Sequence, residues 1–412
     1  MGDPQPADGA RRVLDLARRD RAAATREIER LSTDEQVELV CATPVARRAA
    51  VLDLLPAPDE VIARLPEAEL CFTAKAMGLE SAAWLLEYAT PEQVVAALDL
   101  DAWSGWEPAP ARLDAWLDAL AATGDEALER SLAGLDPELL VLWLTGRIAV
   151  VQKPDDDPGW EPPAGSQTLE GQFHFVALRE GDDAAAILRV LHLLFARDYW
   201  TYFRLMQGVI HELPSDNLEW ALRWRNGRLL DLGFPAREEA MGLYTHLGAA
   251  ERDRIPDAAR PLDVDAWRLP VWVPRLPEGR DARHLVFRAM VALSPDERRG
   301  AFFAFVAVAN AVAVADRMDL ADAETTPAAI EKAAVWTSRG IEHVAAANQL
   351  DAAEVLRRVP LRRLFRVGAN LDPEAAGPPR RRHADAGDDG ESADAGPAGS
   401  PRRAPDHRAG RP

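Results

Sequence analysis

A chain of 412 residues that is 48% apolar has the material for two or three domains with cores of their own. Its 48 Lys and Arg face 67 Asp and Glu, and the resulting net charge of −19 repels phosphate backbones and anionic membranes, which excludes nucleic acid as an expected partner. Two cysteines, Cys41 and Cys71, are too few for a disulfide scaffold or a thiolate metal site and imply a reducing compartment.

Residues 1–10 are polar and lack the apolar stretch that follows the charged start of a secretory signal, so the expected location is the cytoplasm. Arg supplies nearly all the positive charge, beside abundant Ala, Asp and Pro, a bias typical of a GC-rich bacterial genome. Seven arginines against four acids make residues 11–30 locally basic, while Val13, Leu14, Ala17, Ile28 and Leu31 offer one apolar face. Residues 1–30 therefore read as a polar segment and a leading helix packed on the first of the short helices after it, with a partner-binding helix as the alternative. Over 31–150 helix starts recur with one chemistry, a Ser, Thr or Asp cap followed by Pro or an acid: Ser32 to Glu35, Thr90-Pro91-Glu92-Gln93 and Asp136-Pro137-Glu138. Segments this short bury no apolar face alone, so 31–150 is expected to stack as a solenoid-like superhelix.

Residues 151–170, with Asp155-Asp156-Asp157 and clustered Pro and Gly, read as a linker, and Pro158 does not permit a calcium loop there. The aromatic, alternating stretch 171–178 is the best strand candidate, without an obvious partner. Helices resume at about Asp182, with stops at Pro214 and Gly233, and after a Pro-rich passage over 255–277 comes a long pair around 282–318 and 327–348. The longest apolar run, 301–315, falls short of the roughly 20 residues of a spanning helix and reads as a core helix started at Ser294-Pro295-Asp296-Glu297. Residues 171–370 then form a C-terminal helical bundle. In 371–412 Leu371 is the sole large aliphatic, so this tail cannot offset its ordering entropy and is expected to be disordered. The fold class is all-α, with at most one minor strand pair.

The chain has no Gly-Lys-Ser/Thr or Gly-x-Gly-x-x-Gly loop, no His-Glu-x-x-His, no Cys-x-x-Cys and no Gly-x-Ser-x-Gly, so no cofactor and no metal is expected. Weaker constellations remain. His211 closes a helix with the polar stripe Thr201, Arg204 and Gln207, a solvated face whose last-turn His also complements the helix dipole. His192 with Arg189, and His174 in the strand candidate, read as edges of packed faces. Trp200, Tyr202, Trp220 and Trp224 with Arg204, Arg223, Arg225 and Arg228 concentrate the residue types of binding hot spots, but the same residues fill helix-packing cores with Arg at the rim, and core packing is preferred.

The most distinctive segment is Arg225-Asn226-Gly227-Arg228-Leu229-Leu230-Asp231-Leu232-Gly233-Phe234-Pro235, followed by Arg237-Glu238-Glu239-Ala240-Met241. With Leu364-Phe365-Arg366-Val367-Gly368 it resembles an uncharacterised bacterial family, domain of unknown function 6178, over most of residues 10–370; the resemblance implies no activity. Separately, the short helices DEQVELV, RRAAVLDLLP and PEQVVAALDLD are similar to the cytosolic superhelix of bacterial magnesium transporters and to the related flagellar switch helices. No transmembrane half comes after them, so transport is excluded and magnesium sensing stays an analogy.

Three classes of function are left. The favoured one is a non-catalytic scaffold whose stacked helices bind a protein partner. The second is an enzyme in which His211, Arg225, Arg228, Asp231 and Glu238 converge between the helical halves. The third is a divalent-cation or small-ligand sensor using acid pairs such as Asp99 with Asp101 or Glu67 with Glu69.

Overall fold

The computed structural model describes residues 6–178, 182–255 and 283–377; the expected disordered tail, apart from its first residues, and most of the Pro-rich passage lie outside the described residues. The leading segment forms two helices, α1 (Pro6–Ala17) and α2 (Arg21–Ile28). Short helices come next: α3 (Thr33–Ala42), α4 (Arg48–Leu52), α5 (Pro58–Ile62), α6 (Glu67–Met77), α7 (Ala83–Leu86) and α8 (Pro91–Asp101). A tiny pair, β1 (Trp103–Ser104) and β2 (Glu107–Pro108), precedes α9 (Pro110–Ala121), α10 (Asp125–Gly134) and α11 (Pro137–Thr145). Ser32 with Glu35 and Thr90 with Gln93 form reciprocal capping boxes, which satisfy orphan N–H groups at two of the anticipated starts. Each short helix packs on near neighbours in sequence: α1 on α2 and α3, α3 on α5, α6 on α8, and α8 on α10.

The stretch expected as a linker is the connection between β3 (Ile148–Gln152) and β4 (Phe173–Ala177), which pair antiparallel with Ile148 opposite Ala177. The strand candidate thus has a partner, and its buried Phe173 packs edge-on against Tyr202 and Phe203. Two strand pairs are present among the described residues where at most one was expected. The extra one is a two-residue reversal made possible by Gly105 at φ 68°. Helices α12 (Asp182–Arg197), α13 (Tyr199–His211) and α14 (Pro214–Asp231) complete one apolar core that runs from Ala10 to Phe234.

A second core, from Ala240 to Ala376, is built from α15 (Arg237–Met241), α17 (Leu285–Val291), α18 (Pro295–Ala315), α19 (Thr325–Asn348), α20 (Ala352–Arg358), α21 (Leu361–Leu371) and α22 (Pro373–Ala376), while α16 (Ala249–Asp253) lies on α19 without a buried residue. The cores change over near residue 235, with Ala321 from beyond it packed in the first, and β3 and β4 tie the two sides of 151–170 together. The capping box of Ser294 and Glu297 starts α18 six residues ahead of its apolar run, giving a 21-residue helix. Among the described residues α18 is long and apolar enough to cross a membrane, and half of its apolar window is buried, with Phe305, Val308 and Val312 in the second core.

Candidate functional site

Helix α14 turns Ala221 and Leu229 into the first core, and that phase carries Arg225 and Arg228 against α8 and α11. Arg228 donates from Nε to Asp99 Oδ2 at 2.7 Å and from Nη2 to Asp99 Oδ1 at 2.9 Å. It also grips Asp136 through Nη1 at 2.9 Å and Nη2 at 2.7 Å, so one guanidinium holds two carboxylates from two helices. Asp136 is the N-cap of α11, yet its side chain makes no capping bond; the carboxylate is turned to Arg228 instead. Arg225 donates to the Asp99 carbonyl at 2.8 Å and lies over the Trp103 ring at 5.1 Å.

Burial raises the Asp99 carboxyl above its usual range, against the hydrogen bonds and charge of Arg228. Burial also opposes the charge on Arg228, but the bonds to Asp99 and Asp136 outweigh it and push its pKa up. Arg225, half-buried beside Arg228, is pulled down to about 10, mainly by desolvation, and stays charged at neutral pH.

Beside this cluster the C-terminal turn of α14 and the start of α8 enclose a cleft of about 310 Å³. Its floor is apolar, with Pro91, Val95, Ala96 and Leu232, and its polar lining is Glu67, Glu92, Asp99, Arg228 and Asp231. Of the five residues expected to converge, Arg225 and Arg228 meet at Asp99, and Asp231 joins Arg228 in the cleft wall. His211, at the exposed end of α13, and Glu238, exposed on the first turn of α15, do not line it. The stripe on α13 is less solvated than its pattern suggests, since Arg204 pairs with Glu138 of α11 at 2.6 Å and Gln207 donates to Gln152 of β3 at 3.0 Å.

Three of the four acids considered for a cation are engaged by bases, Asp99 by Arg228 as above. Asp101 accepts from Lys75 at 2.8 Å and from the Trp116 indole at 2.9 Å, and Glu69 is buried against Arg48 at 2.6 Å. No group of three or more His, Cys, Asp or Glu is arranged for a metal ion among the described residues.

The outer face of α14 overturns the expectation of core packing for the tryptophans. Tyr202 is fully buried, but Trp200 is 76% exposed, Trp220 47% and Trp224 48%. Trp220 and Trp224 stack at 6.2 Å with planes 27° apart, and Arg223 caps the Trp220 ring at 5.2 Å. The signal for this was their phase: Trp220 and Trp224 stand about 120° round the helix from the centre of the stripe formed by buried Ala221 and Leu229 and half-buried Arg225.

Much of the distinctive segment has a structural explanation. Gly233, at φ 83°, ends α14, Phe234 N–H donates back to the Leu229 carbonyl at 2.8 Å, and Asn310 donates to the Gly233 carbonyl at 3.1 Å. The motif on α21 faces the stretch after Glu238: Arg362 pairs with Glu239 at 2.8 Å, Arg366 donates to the Thr245 carbonyl at 2.8 Å, and Phe365 meets Tyr244 edge-on. Asn226, Gly227 and Leu230 point outward. The likeness to magnesium-transporter domains is not among what comparison with known proteins shows. No curated protein and no solved structure matches the chain. The family described as a family of unknown function, DUF6178, matches over residues 25–375, and the chain belongs to that family.

Proposed function

We propose that this chain is a non-catalytic cytosolic scaffold, its short N-terminal helices stacked as a superhelix, that binds a protein partner through the outer face of α14. The observation that carries this reading is the stacked, half-exposed pair Trp220 and Trp224 with Arg223 on the ring. Trp and Arg dominate binding hot spots, and two large rings half left in water on a helix that packs Ala221 and Leu229 into the first core suit a surface covered by a partner.

The enzyme reading is weaker because Arg228 spends its donors on Asp99 and Asp136, and because His211 and Glu238 stand apart from it. The cation-sensor reading is weaker because Asp99, Asp101 and Glu69 are paired with Arg228, Lys75 and Arg48.

The test is site-specific photo-crosslinking in the source cells, with a benzophenone amino acid placed at Trp224 or at the exposed loop residue Asp156. One protein trapped from position 224, not from 156, and lost on Trp220→Ala supports the scaffold. Identical products from both positions, or none, would end it.

A further inference from the structure

We infer that the occupant of this face is a basic α-helix of a partner protein, crossing α14 at Gly227 and placing a Lys or Arg side chain in the acidic cleft at the end of the helix; this rests on the partner-binding reading above. Gly227 lies in the interior of an 18-residue helix, where glycine is among the least favourable residues. A Cβ there would meet nothing within 4 Å, so no contact inside the described chain requires the glycine. Three other helix-interior glycines of this protein are points of close approach. A Cβ on Gly208 would lie 2.6 Å from Val141 Cγ2 on α11, and Cβ atoms on Gly340 and Gly368 would overlap the backbone of a crossing helix. Gly227 is open, as are Gly9 in α1 and Gly300 in α18, and it differs from those two in standing beside the exposed Trp220 and Trp224 pair.

The geometry of the face fits a helix better than an extended strand of peptide. At 3.6 residues per turn Trp220, Trp224, Gly227 and Asp231 fall within an arc of about 60°, so the glycine makes a notch beside the Trp224 ring on one continuous stripe. Such a notch lets the backbone of a crossing helix come close, a gain that an extended peptide reaching between flanking side chains does not use.

Charge selects the sign of the occupant. Asp216, Glu219 and Asp231 are exposed along α14, and the one cation among them, Arg223, is stacked on Trp220. The stripe ends at Asp231 in the cleft that Glu67 and Glu92 also line, and its Arg228 is already neutralised by Asp99 and Asp136. Pro91, Val95 and Leu232 in the same cleft suit the methylene stem of a long basic side chain. A second copy of this chain, at a net −19, is repelled where a basic helix is drawn in.

The experiment selects binders of the intact protein from a displayed library of random 20-residue peptides, then measures their affinities for variants. The expected peptides carry net positive charge and apolar residues at helical spacing, and they gain helical circular dichroism on binding. Their affinity falls about tenfold or more on Trp220→Ala, on Gly227→Leu and on Glu92→Gln with Asp231→Asn. Thermal unfolding of Gly227→Leu at or above the parent temperature establishes that its loss of binding is not loss of fold, and Gly227→Ala gives the milder step if the larger side chain disturbs α14. Peptides that need Trp220 and Trp224 yet bind Gly227→Leu unchanged, or bind in extended form, overturn the helix and leave the scaffold reading standing. Selection that yields no Trp220-dependent peptide overturns both.

Discussion

Gly340 of α19 and Gly368 of α21 lie at a crossing where the two helix backbones touch: a Cβ on Gly340 would overlap the Leu364 carbonyl, and one on Gly368 would overlap that of Trp336. The obstacle on each side is backbone inside the second core, which cannot swing aside as a side chain does. Gly340→Ala and Gly368→Ala are each expected to destabilise the protein by about 3 kcal/mol or more, the upper range of overpacking. Gly227→Ala, with open space above it, is expected to stabilise by about 0.5–1 kcal/mol in the same assay. Urea unfolding of the full chain, read as a shift in midpoint at constant slope, measures all three. A Gly340→Ala protein as stable as the parent would show that the helices are not in contact there.

The Arg228 clamp makes a second prediction. The Asp99 side chain is 2% exposed, so Arg228→Gln leaves a buried carboxylate without its charged partner. The expected loss is about 3 kcal/mol, and adding Asp99→Asn to Arg228→Gln returns part of it, because the stranded charge is then gone. A double-mutant cycle by urea unfolding isolates the coupling, and single and double variants of equal stability would mean that Asp99 is hydrated when Arg228 is absent.

Local chemistry was legible in the sequence and long-range pairing was not. Ser294-Pro295-Asp296-Glu297 announced α18 because a capping box lies within four residues. The pairing of β3 with β4 was hidden because Ile148–Gln152 comes directly after α11 and its partner lies beyond a Pro-rich connection. Arg228 reaches Asp99 across 129 positions, and Asp136 looked like a cap because its sequence context is that of one. The exposure of Trp220 and Trp224 was recoverable from helical phase, but residue type favours burial for Trp and pointed the other way.

Acid should loosen two helix starts. Glu35 accepts from the Ser32 N–H and hydroxyl, and Glu297 does the same at Ser294 with help from Arg357, and these bonds hold both carboxyls below their usual 4.5. A carboxylate depressed in the folded state adds stability above its unfolded pKa, and that stability is lost as pH falls through the folded value. The melting temperature of the parent should therefore exceed that of a Glu35→Gln, Glu297→Gln double variant at about pH 7, and the gap should close by about pH 3. Gln is the control of choice because Gln93 forms the same box at Thr90, so the geometry survives while the titration does not. A gap independent of pH would assign the effect to packing and not to ionisation.

Cys41 and Cys71 should be silent in the native protein. Burial pushes both thiols far above their ordinary range, Cys41 with Glu69 adding to the effect and Cys71 with Asp101. The thiolate is the reactive form, so an aromatic disulfide reagent meets neither exposed sulfur nor thiolate. Native protein is expected to release no chromophore over minutes, and urea-unfolded protein to release two equivalents per chain. Raising the pH to about 9 should not open a fast phase, since thiolate fraction and access are limited by the same packing of α3 and α6. Rapid native labelling of Cys71 alone would instead place a local opening between α6 and α8, next to the cleft at the end of α14, and would make that region the least stable part of the first core.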